Sequence, residues 1–108
     1  MKIIYNKVLP VKGFSAINLF GVVFAREGAK PLSGTTLNHE RIHTAQITEL
    51  LFIFFYSWYI IEWAVRLMKY RDRKVAYKNI SFEREAFANQ QDSSYLKNRK
   101  SWAFTRYL

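Results

Sequence analysis

The chain has 108 residues, of which half are hydrophobic and 18% aromatic, with 17 basic residues, 8 acidic residues and no cysteine. This composition excludes a disordered tail and predicts one folded domain with a single hydrophobic core. It also excludes a disulfide framework and thiolate metal sites, so a transition metal would need imidazole and carboxylate ligands. The formal charge of +9 favours anionic partners without choosing among lipid, nucleic acid and acidic protein.

The N-terminal part of the chain predicts a short β-sheet or hairpin. Residues 2–8 and 14–26 are rich in β-branched and aromatic residues, which favour strands. Pro10 and Gly13 lie between them and indicate a connecting turn.

A long helical pattern follows. Thr35 or Thr36 can cap its start, and the first helix is expected over 35–49. The pattern then continues without glycine or proline for more than forty residues, so at least one break is expected within it. The candidate positions are Tyr56–Ser57 and the charged run 69–74.

Residues 50–68 form a strongly apolar segment that is interrupted by Glu62 and Arg66, four positions apart. Three interpretations fit it: a buried core helix, a helix on a membrane surface, and a membrane-spanning helix. A single crossing would place the residues before and after the segment about 30 Å apart on opposite sides of the bilayer. One metal ion could not be bound by residues from both sides.

Both histidines of the chain occur in the sequence HERIH. On a helix, His39 and His43 lie one turn apart on the same face, so both imidazoles can bind one ion. Glu40 is offset from that face and suits a general base acting on a water molecule that zinc activates. Gln46 returns to the histidine face and could hydrogen-bond a ligand or a substrate.

A third protein ligand must be a carboxylate, because the chain has no further histidine and no cysteine. The best source is a predicted helix over 81–92, with Ser81 as a plausible N-cap. Together, HERIH and the downstream EREA resemble the gluzincin branch of the zincin metallopeptidases. In that family the third ligand is the first Glu of an E-x-x-A-D motif on a second helix.

Two registers of that motif fit this sequence. With Glu83 as the ligand, Phe87 occupies the position of the family's Asp, and with Glu85 as the ligand, Asn89 occupies it. Glu83 is the preferred ligand and Glu85 the alternative. In the second register Asn89 could hold a histidine in place from the next turn. In both registers the family's Asp is missing.

The resemblance implies a small α+β fold, a mainly helical, zincin-like minimal domain over 1–108, with zinc as its cofactor. It also implies that residues 17–26 form an edge strand above the metal, antiparallel to a bound peptide. Gly21, Val22 and Val23 would align the substrate. The expected function is peptide-bond hydrolysis by zinc-activated water, or a reduced descendant that retains zinc. The expected partner is a peptide or protein substrate.

Other features leave alternatives open. Tyr70 and Tyr77 flank the basic run, and a tyrosine near zinc could stabilise an oxyanion, although a packing role is the simpler interpretation. The rival function is a basic, aromatic protein that binds a membrane or nucleic acid and carries an incidental HExxH. Nucleic acid is the less favoured partner, because no known nucleic-acid module accompanies the basic residues. The N-terminus has no cleavable signal pattern, so a cytoplasmic or membrane-peripheral location is expected.

Overall fold

The computed structural model describes residues 2–9 and 14–108. The α+β prediction is confirmed: a small sheet precedes a mostly helical body. The turn expected at Pro10 and Gly13 lies outside the described residues. The elements, in chain order, are β1 (Lys2–Asn6), β2 (Ala16–Leu19), β3 (Val22–Arg26), a 3₁₀ turn (Glu27–Ala29), α1 (Gly34–Tyr70), α2 (Arg73–Lys78), α3 (Ser81–Asn89), α4 (Tyr95–Asn98) and a second 3₁₀ turn (Ala103–Tyr107).

The sheet has three strands in the order β1-β3-β2. Strand β3 pairs in parallel with β1, where Ile4 is opposite Phe24, and antiparallel with β2, where Ile17 is opposite Phe24. A two-residue turn joins β2 to β3. Phe20 and Gly21 both have positive φ there, which is the pattern of a tight hairpin turn. The Gly21 N–H also donates to the side-chain oxygen of Asn18.

The prediction of one edge strand over 17–26 is therefore wrong. Gly21 does not sit inside a strand, because its φ of +85° places it in the hairpin turn. Val22 and Val23 lie in β3, which has hydrogen-bonded strands on both sides and no free edge for a peptide. The edge strand nearest α1 is β2.

Helix α1 begins at Gly34, one residue before its expected start, and contains a break. Its N-cap is Ser33, whose hydroxyl accepts from the Thr36 N–H at 3.1 Å, so neither Thr35 nor Thr36 caps it. Leu51 has φ 54° and ψ 151°, and this residue divides α1 into a first half (34–50) and a second half (52–70). The helix ends at Tyr70, and its C-cap Arg71 is in the left-handed region.

The break was expected at other positions. Tyr56–Ser57 lies within the second half of α1, whereas the run 69–74 does contain the end of the helix. Because of the break at Leu51, the second half returns towards β2 and α3. There the Tyr56 hydroxyl donates to the Asn18 backbone oxygen at 3.2 Å.

The main core lies between the two halves of α1, α3 and the C-terminal 3₁₀ turn. Its central residue is Phe82, whose ring lies 4.5 Å from the Phe55 ring and 4.6 Å from the Phe104 ring. Phe82 follows Ser81, which is the first residue of α3 rather than its cap, since Ile80 is the N-cap. A smaller apolar cluster under the sheet contains Val23, Ala25 and Leu32.

The apolar segment packs one side on this core and exposes the other. Phe55 is buried, but only 17% of the most apolar 18-residue window of α1 is buried, so a fully buried core helix does not describe it. By length and composition alone, α1 is the one helix among the described residues that could cross a membrane.

Candidate metal centre

The two histidines lie on the first half of α1 and point towards α3. His39 and His43 are each only 6% exposed, and their Nε2 atoms are 3.1 Å apart. The four-residue spacing places them one above the other, as expected for an α-helix. Both side chains present the same ring nitrogen to one point.

Helix α3 brings a carboxylate to the same point. Glu83 Oε1 is 3.1 Å from the Nε2 atom of His39 and 3.1 Å from that of His43. The three atoms form a nearly equilateral triangle. Ligands of a tetrahedral zinc, with bonds of about 2.0–2.1 Å, lie roughly 3.3 Å apart, so this triangle fits one ion with one coordination position left open.

Glu40 is the other carboxylate near the histidines. Ligand atoms of His39, Glu40 and His43 lie within 4.8 Å of one another, which makes this cluster capable of holding a metal ion. Glu83 Oε1 is nearer to both imidazoles than this limit, so Glu83 is better placed as the third ligand. Glu40 is 5% exposed, and burial raises the pKa of its carboxyl group despite the nearby histidines.

A glutamine fixes the orientation of His43. The Gln46 Nε2 group donates to the Phe82 backbone oxygen at 3.0 Å and to Glu85 Oε1 at 2.9 Å. Both partners can only accept, so the amide oxygen must face His43 Nδ1, which lies 2.7 Å away. His43 therefore donates through Nδ1–H and directs Nε2 towards the metal position.

Gln90 performs the same role for His39. Its Oε1 atom is 2.7 Å from His39 Nδ1. Phe87, at the position of the family's Asp in the preferred register, packs its ring against the His39 ring with centroids 4.5 Å apart. The polar contact that the family's Asp would make one turn after the ligand is here made by Gln90, two turns after Glu83.

Asn89 does not contact a histidine. Its side-chain amide donates to the Glu85 backbone oxygen and to the Tyr107 hydroxyl. The reason is helical geometry: with Glu83 facing the histidines, a residue seven positions later returns to that face, whereas one six positions later does not. Asn89 was expected to hold a histidine only if Glu85, one turn before it, were the metal ligand.

Glu85 lies away from the histidines and binds the C-terminal segment. Its carboxylate is fully buried and accepts from Arg99, which also pairs with Glu49 at 2.9 Å, and from the Tyr95 hydroxyl at 2.6 Å. Burial alone would raise the pKa of Glu85, but these hydrogen bonds and the one from Gln46 lower it. Glu85 therefore acts on the site only through Gln46.

Two tyrosines hydrogen-bond the Glu83 carboxylate. Tyr59, on the second half of α1, donates to Glu83 Oε2 at 2.8 Å. Burial and the Glu83 carboxylate raise the pKa of both Tyr59 and Tyr77, so both are neutral donors at ordinary pH. Tyr70 is exposed at the end of α1 and does not line the cleft beside the histidines.

His43 and Glu83 shift each other's pKa, because each stabilises the charged form of the other. Burial alone would lower the pKa of His43, but attraction to and hydrogen bonding with Glu83, together with Glu40 and Gln46, raise it to about 9. Burial alone would raise the pKa of Glu83, but His43 and His39 hold it well below its usual range. Without a metal, His43 is therefore protonated and Glu83 ionised at neutral pH.

A cleft of about 250 Å³ opens beside the histidines. It is bounded by β2 and the chain before it on one side and by α2 and α3 on the other. The lining residues are Phe14, Ser15, Ala16, Thr36, His39, Glu40, Lys74, Tyr77, Lys78, Phe87 and Gln90.

Asn18 holds the β2 edge of the cleft on the histidine helix. Its Nδ2 group donates to the Glu40 backbone oxygen at 3.0 Å and to the Thr44 hydroxyl at 2.8 Å. The strand that borders the candidate site is therefore β2, and not the residues 21–23 named from the sequence.

Sequence reasoning missed Asn18, Tyr59 and Gln90. Tyr59 and Asn18 reach the site only because of the break at Leu51 and the hairpin turn at Gly21, and neither change of direction has a clear signal in the sequence. Gln90 had a signal, because it lies seven positions after Glu83.

Comparison with known proteins gives no relative: no family model, no curated protein and no solved structure matches this chain. What the chain shows by itself is a buried His-Glu-x-x-His cluster that could hold a metal ion.

Proposed function

We propose that this chain is a zinc-dependent peptidase with a gluzincin-like site, or a reduced descendant that retains zinc. The observation that carries the proposal is the convergence of His39 Nε2, His43 Nε2 and Glu83 Oε1 at mutual distances of 3.1 Å. Each histidine is also held by a glutamine through its other nitrogen, which is typical of metal ligands.

Zinc is the favoured metal. Two histidines and one carboxylate with an open position also occur in iron(II) oxygenases, so the donor set alone does not select zinc. The buried Glu40 favours hydrolysis, because a carboxylate with a raised pKa beside the open position suits a general base and acid. Zinc, when bound, would polarise a substrate carbonyl and make water acidic enough to serve as nucleophile near neutral pH.

The chain's own residues then have distinct roles. Glu40 takes the proton of the attacking water and passes it to the leaving amine. Tyr77 lines the cleft, and its hydroxyl hydrogen-bonds Glu83, which helps to hold that carboxylate in place. The edge of β2 at Ala16 lines the same cleft and can pair with an extended peptide.

The first test measures metal content. The purified protein should contain close to one zinc per chain by mass spectrometry of the metal. His39→Ala and Glu83→Ala should lose it, with folding checked by circular dichroism. Iron in place of zinc would overturn the zinc assignment, and the absence of any bound metal would favour the rival protein with an incidental HExxH.

The second test separates metal binding from catalysis. Glu40→Gln should retain zinc, because Glu40 is not a ligand in this proposal. Cleavage of a broad peptide library should fall by about 10²- to 10⁴-fold, the usual contribution of a general base. Zinc binding without cleavage by either the wild type or Glu40→Gln would identify the chain as a reduced descendant.

A further inference from the structure

The outer side of the second half of α1 is apolar along its whole length. Ile53 is 77% exposed and Met68 is 79% exposed, and the exposed residues between them are nearly all apolar. The most exposed large ones are Phe54, Ile60, Ile61 and Val65. We call the surface formed by these six residues the outer face of α1.

The two charged residues between Ile53 and Met68 point inward. Glu62 is buried and accepts from the Ser81 backbone N–H at 2.6 Å and from the Ser81 hydroxyl at 2.7 Å. Arg66 pairs with Glu62 from the next turn at 3.6 Å. A surface helix in water normally has the opposite arrangement, with charges outside and apolar residues inside. The outer face therefore suits an apolar environment rather than water.

A second group of apolar side chains lies where the hairpin turn meets the start of the second half of α1. Phe20 is 62% exposed at the tip of the β2–β3 hairpin, and its ring lies 5.4 Å from the Phe52 ring and 5.3 Å from the Tyr56 ring. A large exposed apolar surface such as the outer face of α1 marks an interaction surface.

Charge identifies the occupant. The chain carries a formal charge of +9, so two copies that faced each other would repel. An exposed basic cluster directly follows the outer face: Lys69, Arg71 and Arg73. An apolar face beside a basic cluster is complementary to a bilayer that contains anionic lipids.

The candidate metal centre limits how α1 can be oriented relative to a bilayer. Glu83 follows α1 in sequence, yet its carboxylate touches histidines that precede the apolar segment. The two flanking regions therefore lie on the same side of any bilayer, which excludes a single crossing. Helix α3, which packs against α1, also carries the exposed Arg84, and a spanning arrangement would bring this charge into the hydrocarbon.

We propose that the outer face of α1 docks flat on an anionic lipid bilayer, with the helix axis parallel to the membrane and the candidate metal centre on the aqueous side. In this arrangement the apolar side chains enter the boundary between headgroups and acyl chains, about 5–10 Å deep. The proposal does not depend on bound zinc, because none of the outer-face residues touches the histidines.

The binding test is flotation of the full chain with phosphatidylcholine vesicles that contain phosphatidylglycerol. The wild type should float with them, and Ile53→Glu/Ile61→Glu should show a partition coefficient lower by about tenfold or more. Both positions are exposed, so the variant should keep its fold by circular dichroism. Val8→Glu/Leu9→Glu is the matched control, with the same charge change at exposed apolar residues after β1, and it should float like the wild type.

The charge of the lipid provides a second comparison. Lys69→Gln/Arg73→Gln should weaken binding to the anionic vesicles by about fivefold for each residue, because each cation near a charged membrane contributes independently. Binding to pure phosphatidylcholine should change little. His39→Ala should bind vesicles like the wild type, so failure of the zinc proposal and failure of this one are distinguishable.

Depth measurements test the orientation. The chain has no cysteine, so Ile53→Cys, Ile60→Cys and Met68→Cys can each carry a single fluorophore. Quenching by lipids labelled at different depths should place all three labels at one shallow depth. A gradient of depth through the bilayer centre would overturn flat docking in favour of spanning. Equal flotation of wild type and Ile53→Glu/Ile61→Glu, or a stable dimer that binds no vesicles, would overturn membrane docking itself.

Discussion

The contacts behind the two imidazoles determine how well they can hold a cation. His43 hydrogen-bonds Gln46 and His39 hydrogen-bonds Gln90, in each case through Nδ1. Each contact leaves Nε2 facing Glu83. These partners matter because a ligand with a fixed tautomer and orientation needs no rearrangement to bind.

Replacement of Gln90 tests this role. Gln90→Ala should lower zinc affinity by about 10- to 100-fold, the usual effect of removing a partner of a ligating histidine. Asn89→Ala is the adjacent control and should leave zinc affinity unchanged, because Asn89 bonds Tyr107 instead. Competition with a chromophoric chelator would measure both. An equal loss in the two variants would mean that Gln90 does not orient His39.

The raised pKa of His43 predicts a pH dependence. In the metal-free protein this pKa is about 9, above the ordinary 6.5, so zinc must displace a proton from His43 below about pH 9. Apparent zinc affinity should therefore rise by about tenfold per pH unit from roughly pH 7 and level off near pH 9. Calorimetry in buffers of different ionisation enthalpy should show about one proton released per zinc at pH 7. Release of no proton would contradict the raised pKa.

The same shift affects the stability of the metal-free protein. A group whose folded pKa is raised stabilises the fold fully below its unfolded pKa, and this contribution is lost as pH rises through the folded value. The contribution of His43 should therefore be complete below about pH 6.5 and disappear towards pH 9. Glu83 has a lowered pKa, so its contribution is present above about pH 4.5 and is lost in acid.

At the scale of elements, α3 is held between the histidine helix and the C-terminal segment. Glu83 and Glu85 leave α3 in different directions, one to the histidines and one to Arg99. Arg99 also reaches Glu49 on the first half of α1, so one guanidinium ties three segments together. The C-terminal segment thereby supports the position of Gln46, which shares Glu85 with Arg99.

Removal of the Arg99 guanidinium should destabilise the fold. Arg99→Met would leave the fully buried Glu85 without its charge partner, which usually lowers the free energy of unfolding by about 3–5 kcal/mol. Lys97→Met removes an exposed cation on the same segment and should change the free energy of unfolding by less than about 0.5 kcal/mol. Urea denaturation of the metal-free proteins would measure both. Similar free energies of unfolding for the two variants would show that the ion pairs of Arg99 do not stabilise the fold.

At the scale of the whole molecule, a metal ion would connect α1 to α3 across a long stretch of sequence. A ligand that binds only the folded state stabilises it, and free zinc at about 100 times Kd adds about 2.7 kcal/mol. For a domain of this size, that raises the Tm by about 10–20 °C. We expect this shift in the wild type and in Glu40→Gln, and its loss in His43→Ala. A shift of equal size in His43→Ala would place the zinc elsewhere.

The sequence by itself determined the parts of this protein that depend on local spacing. Two histidines four residues apart share a helix face wherever that helix packs, and an E-x-x-A register made Glu83 the preferred partner, with Glu85 as the alternative. The α+β class followed from the same local patterns, since strand and helix periods differ. Local rules also favoured a helix over 81–92, and α3 occupies Ser81–Asn89 within it.

The tertiary structure alone decided which side of each element faces the site. The turn at Gly21 divided residues 17–26 between the edge strand β2 and the central strand β3, and the break at Leu51 folded the apolar half of α1 back beside the histidine helix. Packing places Glu83 rather than Glu85 beside the histidines, and Gln90 rather than Asn89 beside His39. It also buries Glu62 and leaves Ile61 exposed. These choices depend on contacts between residues far apart in sequence, and periodicity within one segment carries no information about them.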